Sequence, residues 1–526
     1  MRRTLFVCLV ACLAAKSSVI AQTPPLSLTL RDYLSLPITG SVTGKSTDGA
    51  LARINVLRDE PGGRRLFVND LNGPLYIVNK QTMATDAYLD FNGAGGRPGM
   101  FRRFTFALGF ANGFINFQFD PDYANNGKFY TVHLEDPIIS APAEPDNSRV
   151  PGLSVAGYAE TPVIRTPTGT VPIDREAVLV EWTDTSRSNT TFEGRARELM
   201  RVQHNTRIHP MNDMIFNPTA RPGDADWRVM YLSCGDTGSG EQADIRRLNP
   251  QRLDNLVGKI LRIIPDLAAH TGTSTVSENG RYRIPRDNPF AGIDGARQEI
   301  WAYGLRNPHR MSWDVNPSNR ADNHLFASSI GLHFWETVSI IRRGANYGYP
   351  RREGNQAMGD RNVAEPLPVP DRVPMRVSDT VTRGEMTPTY PVIQYPHENE
   401  AGGDAIAGGF VYRGSITALQ GKFVLGDIST GRIWYADLKD VLAADDGNPA
   451  TMAQLHVVNI GEHASMRAVV EAGYRARGGK NDVMPGSARV SGPGRVDIRF
   501  ATDAAGELYI LSKPDGMIRR VTGVGP

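Results

Sequence analysis

The chain has 526 residues, 40% hydrophobic and 22% charged, a balance that excludes a wholly disordered polymer. Lys and Arg total 58 against 56 Asp and Glu, so bulk charge gives no hold on nucleic acid or on an anionic membrane. The 53 glycines and 36 prolines imply many turns and little continuous helix.

Arg2 and Arg3 precede an apolar run over residues 5–15, and Val19-Ile20-Ala21 then offers a cleavage site before Gln22. The run is shorter than the ~20 residues a membrane helix needs. It reads as an export signal over 1–21, followed by an N-terminal extension over 22–49 and a single domain over 50–526. The product is expected to be periplasmic or secreted, with no transmembrane span. Lipid anchoring at Cys12, in the run Leu9-Val10-Ala11-Cys12, is the alternative. Cys234 then remains without a disulfide partner and reads as a buried strand thiol.

From residue 66 onward the chain repeats a pattern. A turn residue and a polar residue lead into an apolar pair followed by β-prone residues. The pairs are Leu66-Phe67, Phe129-Tyr130, Met230-Tyr231, Leu325-Phe326, Phe423-Val424 and Leu508-Tyr509. Several continue through a Gly turn into a second strand, as at Gly73, Gly431 and Gly516. The runs Leu75-Tyr76-Ile77-Val78 and Leu508-Tyr509-Ile510-Leu511 are apolar on both faces, as strands between two covering layers must be. Repeated units of this kind predict an all-β, six-bladed β-propeller with long inter-strand insertions over 136–176, 265–298, 351–405 and 440–492. Short helices are expected near 244–253 and 438–444. A ligand site belongs at the mouth of the central channel.

Along this frame stand Asn112-Gly113-Phe114-Ile115, Phe119-Asp120-Pro121-Asp122-Tyr123, Leu256-Val257-Gly258-Lys259-Ile260, Ile284-Pro285-Arg286-Asp287-Asn288-Pro289-Phe290, Tyr303-Gly304-Leu305-Arg306-Asn307-Pro308, Arg343-Gly344-Ala345-Asn346-Tyr347-Gly348 and Gly408-Gly409-Phe410-Val411-Tyr412. Their order and spacing resemble the soluble quinoprotein sugar dehydrogenases, the glucose/sorbosone dehydrogenase family. The resemblance implies a six-bladed propeller that oxidises an aldose using pyrroloquinoline quinone and Ca²⁺.

Carried over residue by residue, the resemblance assigns the catalytic base to His209, in the run HPMNDMIFNP that closes on Pro218. An imidazole suits the task, because a hydroxyl carbon gives up hydride only as its proton leaves. Ile208, Pro210 and Met211 depart from the family pattern around it. Arg306 and Asn307 correspond to the pair that touches the quinone, where a fixed, always-charged fork stabilises growing negative charge. Gly331 and Leu332 correspond to the carbonyl pair that holds Ca²⁺. Arg495 corresponds to one of two late arginines on the cofactor carboxylates. Two positions depart further: Ala111 stands where the family has Gln, and Ser429 where it has the cofactor-pairing Lys. His397, His309, His333 and Arg310 are further candidates near the channel. The loop from Asp236 to Glu241 reads as a turn, with Ca²⁺ binding as its alternative. Asp120 and Asp122 read as a tight turn. The chain has no zinc HExxH, no CxxC pair, no GxSxG elbow and no phosphate-binding Gly loop.

The sequence therefore predicts an exported oxidoreductase acting on a small sugar, with a periplasmic electron acceptor. The alternative is a non-catalytic carbohydrate- or protein-binding propeller that has lost the cofactor.

Overall fold

The computed structural model describes residues 25–43, 49–107, 112–167, 174–316 and 318–525. The export signal and Ala111 lie outside the described residues. Among the described residues, six four-stranded antiparallel units follow one another along the chain. Their innermost strands are Ile54–Asp59, Phe114–Phe119, Met211–Phe216, Asn307–Asp314, Ile406–Val411 and Ile498–Thr502. Each contacts the next, and the sixth contacts the first, so the units close into a ring. That is the six-bladed propeller the repeats predicted.

The apolar pairs fall on equivalent elements. Each sits on the second strand of its blade: Arg65–Asp70, Lys128–Glu135, Met230–Cys234, His324–Ile330, Lys422–Asp427 and Leu508–Ser512. A second strand has neighbours on both sides within its sheet and a blade on each face. In blade one, Phe67, Leu75 and Ile77 pack toward blade two against Phe117, Phe119 and Trp182. Leu66, Val68, Tyr76 and Val78 pack the other way, toward blade six, against Tyr509, Leu511 and Ile518. Both faces are therefore dry, as the unbroken apolar runs required. Gly431 permits one of the hairpins: its φ is +72°, and a Cβ there would lie 2.7 Å from Val496.

Ring closure brings one difference from the sequence reading. Leu26–Ser35, expected to be part of an extension, is the outer strand of blade six, antiparallel to Met517–Gly525. It also pairs in parallel with His456–Ile460, the outer strand of blade five, joining the last two blades into one eight-stranded sheet. The expected insertions hold more structure than loops. The outer strands Ile393–Pro396 and His456–Ile460 lie within 351–405 and 440–492, as does the helix Arg467–Ala476 within the latter. The two expected short helices are a 3₁₀ turn, Ile245–Gln251, and an α-helix, Leu438–Ala443. Asp120 does hold a turn, accepting the Asp122 amide at 2.9 Å while Arg228 grips its carboxylate.

Because Leu26–Ser35 ties the start of the chain into blades five and six, its buried side chains bear on the stability of the whole. Leu28 is 2% exposed among Val458, Ile460 and Val521. Leu28→Ala is expected to cost about 2–4 kcal/mol in urea unfolding, and the exposed Thr29→Ala under about 0.5 kcal/mol. Equal effects would mean that this strand is not part of the cooperative ring.

Candidate functional site

The inner strands all run in the same direction through the ring, so the residues just before each strand meet at one mouth. Arg53, His209, Arg306, Ala405 and Asp497 each precede an inner strand by one or two positions, and all line one cavity of about 310 Å³. His209 and Arg306 are thus brought to one cavity.

His209 adopts φ +52°, a left-handed conformation that non-glycine residues rarely hold without support. The support comes from the loop after the second strand of its blade. The Thr237 amide donates to the His209 carbonyl at 3.2 Å. Gly235 packs beneath it, and a Cβ there would lie 2.5 Å from the same carbonyl. The His209 Nδ1–H donates to Asp236 Oδ1 at 2.6 Å. Asp236 is buried and also accepts the amides of Gly238 and Gly240, both at 2.9 Å. Burial alone would raise its pKa, but the His209 imidazole, the nearby Arg306 and these amides hold the carboxyl below its ordinary value. This fixes the ring, leaving Nε2 without a hydrogen bond among the described residues.

Asp236 also links His209 to Arg306. Its amide donates to the Arg306 carbonyl at 2.7 Å. The Arg306 side chain donates to Glu241 and to the carbonyls of Ile330 and Gly331. Burial opposes its charge, but Glu241 keeps its pKa above the ordinary arginine value. The loop read as a turn therefore supplies two acids to the site. Asn307 accepts a 2.7 Å bond from Asn212 and opens the inner strand beside Arg306.

The far wall is cationic. Among the described residues, seven Arg and Lys side chains line the cavity against three carboxylates. Arg495 is one of them. Arg53, Arg499 and Lys513, which the sequence reading did not single out, are others; Ser429 lines the same wall without charge. This excess of positive charge fits a small polyanion, and a tricarboxylate such as pyrroloquinoline quinone matches its chemistry.

The loop holding Gly331 and Leu332 does not fit a divalent cation. The Gly331 carbonyl faces the Arg306 guanidinium. The amides of Leu332, His333, Phe334 and Trp335 all turn inward onto Glu353 Oε1, at 2.7, 2.8, 2.9 and 3.2 Å. Glu336 is taken by the Gly331 and Ile406 amides and by His397. These oxygens are met by N–H groups and a guanidinium, the wrong partners for Ca²⁺. Among the described residues no group of three or more His, Cys, Asp or Glu is arranged to hold a metal.

The remaining candidates separate. His397 lines the cavity and His309 is buried beside it. His333 accepts a 2.6 Å bond from Arg489, which lines the cavity with Ser487 and Ala488. Arg310 lies elsewhere, lining a second cavity at the opposite end of the channel with Arg58 and Asp213. Cys234 is a buried strand thiol, its pKa raised by burial to about 12.

Residues 221–446 match the family described as Glucose / Sorbosone dehydrogenase. The resemblance read from the sequence is to this same family, and most of its motifs fall in that segment. The chain is 25% identical over 398 residues to the HIPL1 protein of Arabidopsis thaliana, covering 72% of this chain and 52% of that protein. It spans about half the length of such curated relatives. It is 36% identical over 105 residues to the aldose sugar dehydrogenase YliI of Escherichia coli, covering 20% of this chain and 23% of that protein. In fold it is similar to a crystal structure of glucose dehydrogenase, with TM-score 0.53, 14% identity and coverage of 90% and 97%. It is likewise similar to the apo form of the E. coli soluble aldose sugar dehydrogenase, with TM-score 0.51, 16% identity and coverage of 92% and 98%. No described helix is long and apolar enough to cross a membrane.

The Asp236 arrangement predicts a pH signature. A carboxyl whose folded pKa is depressed adds stability above its unfolded value, about 3.9, and that stability is lost as pH falls through the folded value. Asp236→Asn is expected to lower unfolding free energy by about 3 kcal/mol at pH 7, with the gap to wild type narrowing below pH ~4. A gap independent of pH would contradict the ionised Asp236 carboxylate.

Proposed function

We propose that this chain is an exported quinoprotein-type oxidoreductase that removes hydride from an aldose or a related sugar hydroxyl carbon. The observation that carries this reading is the His209–Asp236 pair facing, across one cavity, Arg306 and a wall of cations. His209 Nε2 is positioned to accept the hydroxyl proton of a sugar in the cavity. Asp236, already holding Nδ1–H, stabilises the imidazolium that results. Arg306 and Asn307 supply donors where an oxygen gains negative charge, and Glu241 fixes the guanidinium in place. Arg53, Arg495, Arg499 and Lys513 would hold the carboxylates of pyrroloquinoline quinone, which when bound supplies the hydride acceptor. Electrons would leave to a periplasmic acceptor, and the product of aldose oxidation would be a lactone. The aldose dehydrogenase named among the relatives supports the substrate class, and the charged residues leading into 5–15 support export.

The test is to load the purified protein with pyrroloquinoline quinone and follow dye reduction over a panel of aldoses. Sugar-dependent reduction is expected. His209→Asn should lower it about 10²- to 10⁴-fold while the bound-quinone absorbance remains. Retained quinone with no sugar-dependent reduction would instead favour a non-catalytic propeller binding carbohydrate or protein at the same mouth.

A further inference from the structure

The channel ends in a second cavity, of about 530 Å³, at the mouth opposite His209, and the two cavities share no lining residue. Arg310, the fourth residue of the blade-four inner strand, lies at its inner end. The side chain crosses the channel to blade one, where Nη2 donates to the Asn55 carbonyl at 3.2 Å. Nη1 donates to the His309 carbonyl at 2.9 Å. Asn55 stands between the two cavities: its side-chain oxygen accepts Nε of Arg499, which lines the other one, at 3.2 Å. Gly408 of blade five gives Arg310 its path. Its φ is +115°, and a Cβ there would lie 2.9 Å from the Arg310 Cγ.

Arg310 makes no ion pair among the described residues; its guanidinium bonds are to the two carbonyls. Asp213 acts on it through space but is already engaged. Its Oδ1 accepts Arg58 at 3.2 Å, Asn116 at 2.8 Å and the Met214 amide at 2.9 Å, and its Oδ2 the Met311 amide at 2.8 Å. The rim acids are engaged as well. Asp59 pairs with Lys80 and Glu60 with Arg65, while Asp503 accepts the Ala505 and Glu507 amides and the Tyr509 hydroxyl. Burial pulls the Arg310 pKa down to about 10, with Asp213 opposing the fall and Arg58 adding to it. A guanidinium held by carbonyls alone keeps donors to spare, and a carboxylate is the group that fits them. Outward from Arg310 the wall turns apolar. Phe410 of blade five and Phe500 of blade six meet edge to face with ring centroids 6.4 Å apart, beside Leu57 and Met311.

We propose that this cavity is a second binding site, for a small organic monocarboxylate whose head rests on Arg310 and whose apolar body lies against Phe410 and Phe500. A few placed polar groups under an apolar wall are what such a ligand requires. The inference does not depend on the chemistry assigned to His209.

Titration calorimetry of the purified protein with benzoate tests it. Benzoate is expected to bind with a dissociation constant below about 1 mM. Benzamide, which lacks the charge, and acetate, which lacks the ring, should each bind about 10-fold more weakly or worse. Arg310→Gln should abolish benzoate binding, whereas Arg495→Gln, in the other cavity, should leave it unchanged. Thr502→Asp, which adds a negative charge at the end of the blade-six inner strand and leaves Arg310 in place, should weaken benzoate about 5-fold or more, so a poorly folded Arg310 variant does not spare the inference. No benzoate binding, equal binding of benzoate and benzamide, or binding lost in Arg495→Gln but kept in Arg310→Gln would overturn it.

Discussion

Asp236 joins the parts of this molecule that the proposed chemistry uses. One oxygen holds the His209 ring, both oxygens are anchored by amides of its own loop, and its backbone reaches the carbonyl of Arg306 in the next blade. A carboxylate buried without such partners would be too costly to keep ionised. With them, it sets the tautomer of the imidazole and the register of two adjacent blades together. The unusual backbone of His209 and the glycine at 235 follow from this arrangement, since neither would persist unless the surrounding contacts imposed it.

The ring explains why groups distant in sequence become one site. Five of the six inner strands are led in by a residue that lines the cavity, whatever lies in the insertions. The insertions then adjust the rim. The loop carrying Arg489 is tied down by Asp404, which accepts the amides of Val490 and Ser491, and by His333. The amides of 332–335 close around Glu353. The outcome is a cavity in which negative charge inside the protein holds cations in place, and those cations face the space where a ligand would lie.

Much of the fold was legible because second strands are buried on both faces and must be apolar throughout. Outer strands are short and mixed in polarity, so Ile393–Pro396 and His456–Ile460 disappear into turn-rich segments. Leu26–Ser35 alternates in the manner of a strand, but its partner lies at the other end of the chain, and no local signal connects them. The candidate site was legible where a local motif carried it, as at His209 and Arg306, which line one cavity. Asp236 and Glu241 were in view yet read as a turn, because a carboxylate beside glycines looks the same whether it faces water or an imidazole. Arg53, Asp497, Arg499 and Lys513 had no motif at all. Only ring closure makes neighbours of residues 53 and 513.

The central claim is that one molecule can touch both the imidazole of His209 and the cationic wall of blade six. A crystal structure of the protein grown with pyrroloquinoline quinone tests it most directly. The account predicts the quinone in the hub cavity, its carboxylates on Arg495, Arg499 and Lys513 and its ring facing His209 Nε2 across room for a sugar. A quinone bound at the opposite mouth beside Arg310, or at the rim with its carboxylates away from Lys513, would contradict it.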